Sequence, residues 1–141
     1  MGSKYLIDTN IWIDMLNSLP EAAAALKALD DAAISAITYM EVASGSAPAD
    51  KATFDLMLDG TVPILHTDDQ ITQLATAFNQ DPNTWRGRGN THLPDSIIGA
   101  TAVVSNRILV TRNPNDFKIK EGPVRKHGAF VFMPALALAG N

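Results

Sequence analysis

Four carboxylates in this chain stand where they could converge: Asp8, Glu41, Asp95 and Asp116. Asp8 ends the apolar run Tyr5-Leu6-Ile7. Glu41 lies in the first turn of the helix after Ala33-Ile34-Ser35-Ala36. Asp95 opens the helix that leads into Arg107-Ile108-Leu109-Val110-Thr111, and Asp116 follows that run by one short loop. Each acid has an ordinary structural use. Asp8 suits a loop, Glu41 completes a capping box with Thr38, Asp95 suits an N-cap after Pro94, and Asp116 suits an Asx-type turn. Their shared placement points to chemistry instead. Carboxylates pressed together in a partly dry pocket repel, which raises the pKa of at least one of them, and a hard cation relieves the repulsion. Oxygen ligands with open water positions suit Mg²⁺ or Mn²⁺. Zinc's usual cysteine ligands are absent, and His66, His92 and His127 do not stand at ligand spacing. An ion held this way activates water and steadies a phosphate in flight, so the chemistry is hydrolysis of a phosphodiester or similar ester.

Such a site needs elements that bring four distant segments to one edge. Short apolar runs alternate with helical patterns, which predicts a parallel sheet with helices on both faces. Right-handed crossovers then put the carboxyl ends of the parallel strands on one side, where open α/β sheets bind ligands. Asn10 is the expected N-cap of the first helix, which carries Ile11, Met15 and Leu16 on one face. Glu21 to Leu29 reads as a helix. Thr38 is the expected cap of the helix that carries Glu41, and Ala49 to Leu58 forms its partner. Val62 to Leu65 is an edge strand because of Pro63. Asp68 caps a helix with Ile71, Leu74, Ala75 and Phe78 on one face. Residues 79–94 form a polar loop. In the helix after Asp95, the small residues Gly99 and Ala100 permit close packing. Ala129 to Phe132 is the last strand, and Pro134 to Leu138 a short terminal helix.

Charge is unevenly divided. Residues 1–85 hold 3 Lys/Arg against 12 Asp/Glu, and residues 86–141 hold 8 against 3, within an overall net charge of −4. An acidic site and a basic surface can therefore coexist on one molecule. Without cysteine there is no disulfide framework or thiolate chemistry. No apolar stretch suits a membrane span and the N-terminus lacks a signal-peptide pattern, so a cytoplasmic location is expected. Nothing divides the chain, and a single domain over 1–141 is expected, with Met1-Gly2-Ser3 a possible expression remnant. No P-loop, GxSxG or GxGxxG motif is present.

Four segments carry a resemblance: Leu6-Ile7-Asp8-Thr9-Asn10, Thr38-Tyr39-Met40-Glu41-Val42, Pro94 to Ala102, and Leu109-Val110-Thr111-Arg112-Asn113-Pro114-Asn115-Asp116-Phe117. In order and spacing they resemble the motifs of PIN-domain ribonucleases, and of VapC-type toxins of bacterial toxin–antitoxin pairs in particular. Phe130 to Pro134 is similar to that family's last strand. The resemblance implies a three-layer fold with a five-stranded parallel sheet in the order 3-2-1-4-5. It also implies Mg²⁺-dependent endoribonuclease activity on RNA of the tRNA or rRNA class, a homodimer, and inhibition by a cognate VapB-type antitoxin. It maps the four family acids to Asp8, Glu41, Asp95 and Asp116. Some relatives have an acid where this chain has Asn113.

The expected roles follow. Asp8 and Asp95 bind Mg²⁺, or Mn²⁺ in its place, directly or through water. Glu41 orients ligands or the attacking water, and Asp116 completes the acidic wall. Thr111 and Asn113 give hydrogen-bonding support. Arg86 and Arg88 contact phosphates and Trp85 stacks on an unpaired base. Two alternatives remain. One is a phosphatase resembling the haloacid-dehalogenase class with Asp8 as nucleophile, although that class expects an acid where Asn10 stands. The other is a non-catalytic module whose acids receive an arginine from a partner.

Overall fold

The computed structural model describes residues 2–80, 93–117, 125–127, 130–133 and 138. A short strand β1 (Tyr5–Ile7) passes almost directly into helix α1 (Thr9–Leu16). Helix α2 (Pro20–Ala28) leads back to β2 (Ala32–Ser35). Helices α3 (Ala36–Gly45) and α4 (Pro48–Leu58) follow, then β3 (Ile64–Leu65). Helices α5 (Asp69–Gln80) and α6 (Leu93–Val104) precede β4 (Ile108–Thr111). A 3-10 turn (Pro114–Phe117), β5 (Arg125–His127) and β6 (Phe130–Met133) complete the order.

Among the described residues the sheet has six strands, ordered β3-β2-β1-β4-β6-β5. β1 lies in parallel between β2 and β4, and β2 pairs in parallel with β3. The strands marked by the sequence thus take the expected order 3-2-1-4-5, with β6 as the fifth. The far edge adds two features. β6 runs antiparallel to β4, with Phe132 opposite Val110, and the extra strand β5 pairs antiparallel with β6. Only two residues separate β5 from β6, a hairpin length, whereas a parallel pair needs a crossover of roughly a dozen residues. Arg125-Lys126-His127 is polar throughout and carries no strand signature.

The sheet is covered on both faces, and the period-2 alternation of its strands shows which side chain goes where. Leu6, Ala33, Leu109, Val131 and Met133 pack with Ile71 and Phe78 of α5 and Ile98 of α6. Ile7, Ile34, Val110 and Phe132 pack with Ile11 and Trp12 of α1, Val42 of α3 and Phe54 of α4. Burial on both faces is why β1 and β4 read as continuous apolar runs instead of alternating ones. The small residues of α6 behave as expected: Ser96, Gly99, Ala100 and Ala102 are all buried.

At the amino edge, the 9% exposed Arg107 joins two turns. Its Nη1 donates to the carbonyls of Asp31 at 2.8 Å and Tyr5 at 3.2 Å. Asp31 and Asn106, in the turns before β2 and β4, both have positive φ, +51° and +54°. Short polar side chains tolerate that region best after glycine. The predicted 79–94 loop is shortened from both ends, because α5 runs through Gln80 and α6 begins at Leu93. Its centre, with Trp85, Arg86 and Arg88, lies outside the described residues. So does the predicted terminal helix, apart from the buried Leu138. Among the described residues no helix is long and apolar enough to cross a membrane.

Candidate active site at the carboxyl rim

The site begins with the abrupt turn from β1 into α1. The Asp8 backbone N–H still bonds to the sheet, donating to the Val110 carbonyl at 3.0 Å. Its side chain already belongs to the helix. Oδ1 accepts from the Thr9 N–H at 2.8 Å, so Asp8, not Asn10, is the N-cap of α1. A carboxylate on a central strand is well placed to meet the first free N–H of the next helix. Asn10 is released to turn inward. Its Nδ2 donates to Asp8 Oδ2 at 3.2 Å, and its Oδ1 accepts from the Arg112 N–H at 3.4 Å.

From the neighbouring strand β4, the Thr111 hydroxyl donates to Asp8 Oδ2 at 2.6 Å. The Thr111 oxygen in turn accepts from the Asn113 N–H at 3.0 Å. Asn113 therefore reaches the site through its backbone and Thr111. A loop-forming amide meets that need without a fifth acid. Glu41 arrives from α3. Ser35 caps this helix by accepting from the Ile37 N–H at 3.3 Å, which starts it at Ala36. The expected capping box from Thr38 to Glu41 is thus absent: Thr38 is a fully buried residue inside the first turn. Glu41 lies further along an exposed stretch of α3, where its Oε1 accepts from the Thr9 hydroxyl at 2.8 Å. The Thr9 and Thr38 hydroxyls share a hydrogen bond of 3.0 Å. Thr9 and Thr38 carry no signal of their own in the sequence beyond lying inside the two acidic motifs.

Asp95 is also not an N-cap. It is the third residue of α6, half-buried in the acidic first turn, where a helix favours negative charge. Its field and that of Glu41 both reach Asp8. Asp116 falls in the 3-10 turn after β4, anchored by the buried Phe117. Its side chain lies outside the described residues. A cleft of about 150 Å³ opens beside Glu41, lined by Ile13, Leu16, Val42 and Ser46 among others.

Asp8 is the electrostatic centre of this group. It is 4% exposed, and its pKa is raised from 3.8 to about 7. Burial is the largest cause. The hydrogen bonds from Thr111 and the Thr9 N–H oppose it, and the charges of Asp95 and Glu41 add to it. Repulsion among the acids is therefore real but secondary to desolvation. Removal of the Thr111 hydroxyl should leave the buried carboxylate less supported. In metal-free Thr111→Val the Asp8 pKa should rise further, so the loss of stability with rising pH should continue to a higher pH than in the parent. Melting temperature followed from pH 4 to 9 checks this, and an unshifted pH profile would contradict it.

Among the described residues, no three carboxylates or imidazoles gather tightly enough to form a ready-made metal cage. The donor chemistry nevertheless fits a hard divalent cation. Asp8, Asp95 and Glu41 offer only oxygen, and Mg²⁺ commonly uses one or two carboxylates and keeps several waters. A cation would also offset the cost of ionising a buried Asp8.

Residues 5–122 match the family model of the PIN domain. The chain belongs to the PIN domain family, whose members are nucleases. Among solved structures, it is similar to a toxin–antitoxin complex from Klebsiella pneumoniae. That likeness has 36% identity and a TM-score of 0.67, covering 81% of this chain and 90% of the other. It is also similar to VapBC-1 from nontypeable Haemophilus influenzae, with 27% identity and a TM-score of 0.61, covering 80% and 89%. VapBC2 from Rickettsia felis, bound to a DNA fragment from its promoter, shares the fold at 24% identity and a TM-score of 0.62, covering 79% and 89%. No curated protein matches the chain. Family membership sets aside the phosphatase alternative, in keeping with an amide at Asn10 that serves Asp8 as a donor.

Proposed function

We propose that the protein is a VapC-type toxin, a Mg²⁺-dependent endoribonuclease restrained by a cognate VapB-type antitoxin. The observation that carries this reading is Asp8: a buried carboxylate at the end of the central strand, within the fields of Glu41 and Asp95. The toxin–antitoxin complexes among its structural neighbours support the partner. Asp8 and Asp95 would hold the cation, directly or through water. Bound there, it supplies positive charge that acidifies a water and steadies the phosphate. Thr111, Asn10 and the Thr9 N–H fix the Asp8 carboxylate. Thr9 holds Glu41 in a pose to orient the attacking water. Asp116 completes the acidic wall, and Asn113 braces Thr111. Arg86 and Arg88 contact phosphates, and Trp85 stacks on an unpaired base. The substrate is RNA of the tRNA or rRNA class, the protein acts as a homodimer, and it works in the cytoplasm.

The test is cleavage of total cellular RNA by the purified protein, with the new ends mapped. Site-specific cuts should appear with Mg²⁺, persist with Mn²⁺, and stop in EDTA or on adding the antitoxin. Cleavage that continues in EDTA would remove the metal-dependent mechanism. Binding of the antitoxin with no turnover under any condition would favour the non-catalytic module.

A further inference from the structure

The acidic rim must hold a polyanion, so a cation near it needs a role. Among the cations with described side chains, Lys4 and Arg107 precede β1 and β4 at the opposite edge. Lys27 closes α2, and Lys51 is tied to Asp55 on α4. Arg112 alone follows a strand at the rim that carries Asp8. Its backbone N–H donates to Asn10, the residue that donates to Asp8. Its side chain forms a two-pronged pair with Asp14 of α1. Nε lies 2.8 Å from Oδ2, and Nη2 lies 3.1 Å from Oδ1.

The two partners differ in exposure. The Asp14 side chain is 10% exposed, and that of Arg112 is 44% exposed. Asp14 is a fixed, buried anchor, and Arg112 presents its outer edge to solvent. A guanidinium has five N–H donors in one plane. The pair with Asp14 uses Nε–H and one Nη2–H. The other three donors find no protein partner among the described residues. Planar donors held in place bind phosphate oxygens with little further loss of side-chain freedom. Asp14 stands six positions after Asp8, about 9 Å along a helix axis. That distance suits a phosphate flanking the one under attack.

We propose that Arg112, held in position by Asp14, binds a backbone phosphate of the RNA strand beside the scissile one. The proposal rests on the nuclease reading above. Arg112 is a substrate-binding residue and Asp14 a positioning residue for it. Neither acts on the reacting phosphate.

The experiment is steady-state cleavage of a short labelled RNA by the full chain with Mg²⁺. Melting temperatures are measured alongside for Arg112→Ala, Arg112→Lys and the double variant Asp14→Asn with Arg112→Ala. KM should rise about ten-fold or more in both single variants, with kcat within about two-fold, because uniform binding has been removed. The salt dependence of RNA binding should flatten in Arg112→Ala, by about 0.7 in logarithmic slope for a single strand, but not in Arg112→Lys, which keeps the charge. Loss of Arg112 alone leaves the buried Asp14 carboxylate uncompensated, and removing its charge as well restores stability. The double variant should therefore regain melting temperature yet keep the high KM. A KM that recovers together with melting temperature, or a lysine that restores KM, reduces the pair to a structural brace and overturns the proposal. So does a fall in kcat at unchanged KM. If the parent cuts no RNA, the nuclease reading fails and this inference with it. A parent that cuts, with KM unaltered in Arg112→Ala, removes this inference alone.

Discussion

Asp8→Asn should make the metal-free protein more stable at pH 8 while abolishing RNA cleavage. The folded-state pKa of Asp8 is about 7, raised from 3.8 chiefly by burial. A raised carboxyl pKa favours the folded state fully below pH 4, where both states are protonated. The advantage is lost as pH rises from about 4 to 7, because the unfolded chain ionises freely there while burial keeps the folded chain's acid protonated. The difference between 3.8 and about 7 corresponds to about 4 kcal/mol at alkaline pH. Solvent screening removes little of it, since Asp8 is 4% exposed. Asparagine avoids ionisation and caps a helix as well as aspartate. It also puts an NH₂ where Oδ2 now accepts from Asn10 and Thr111, a mismatch that costs about 1–2 kcal/mol unless both partners reorient. The net gain at pH 8 should be about 2 kcal/mol, seen as several degrees in melting temperature, and should vanish at about pH 5, below which the mismatch leaves the variant the less stable. Added Mn²⁺ should stabilise the parent and not the variant, since only binding to the folded state shifts melting. A variant that melts below the parent at pH 8 would show that Asp8 is not a strained acid.

Much of this site is written locally in the sequence, and its errors are local too. Asp8 is legible because an apolar run that stops at a carboxylate, with a helical pattern starting at once, is the pattern of a strand delivering an acid to the sheet rim. A parallel sheet with helices on both faces follows from alternating strands and helices, whereas the strand order came only from the likeness of four motifs to a known family. The caps were harder to read. Asn10, Thr38 and Asp95 are all good capping residues, yet the chain uses Asp8 and Ser35 instead for α1 and α3, and starts α6 at Leu93. Capping is decided by where the strand stops, and one residue of strand moves the cap onto its neighbour. Thr111 was expected as hydrogen-bonding support, but which residues the long-range bonds would join had no sequence signal. The contact from Thr9 to Glu41 spans 32 positions and the one from Thr111 to Asp8 spans 103. The Asp14 and Arg112 pair is equally silent, because an acid inside a helix is usually solvated. The antiparallel edge escaped for a further reason: a three-residue polar strand buries too little to leave a pattern. Charge reasoning expected a raised pKa in at least one of the acids and assigned it to repulsion, whereas burial is the larger cause at Asp8, and burial cannot be judged before the fold is known.

That ranking gives Asp95→Asn a different outcome from Asp8→Asn. If mutual repulsion dominated, removing the Asp95 charge would stabilise the metal-free protein by about 1–2 kcal/mol, the equivalent of about one pH unit at Asp8. In the structure Asp95 acts on Asp8 after burial and after two opposing hydrogen bonds. Relief of repulsion should therefore be worth under about 1 kcal/mol. A carboxylate in the first turn of α6 is also favoured by the helix, by about 0.3–1 kcal/mol, which the amide gives up. The two effects oppose each other, and metal-free melting should scarcely move. Function should move a great deal. With Asp95 as a proposed holder of the cation, its loss should lower cleavage at least about a hundred-fold, a difference of about 2.7 kcal/mol in transition-state stabilisation. A ten-fold weaker affinity for Mn²⁺ should also remove about 1.4 kcal/mol of the stabilisation given by a saturating concentration. Melting with and without Mn²⁺, together with cleavage rates at saturating Mg²⁺, separates the two roles. Unchanged metal-free melting, a diminished response to Mn²⁺ and a large loss of cleavage identify Asp95 as part of the metal site. Normal cleavage and an unchanged response to Mn²⁺ would leave it an ordinary acid in the first turn of a helix.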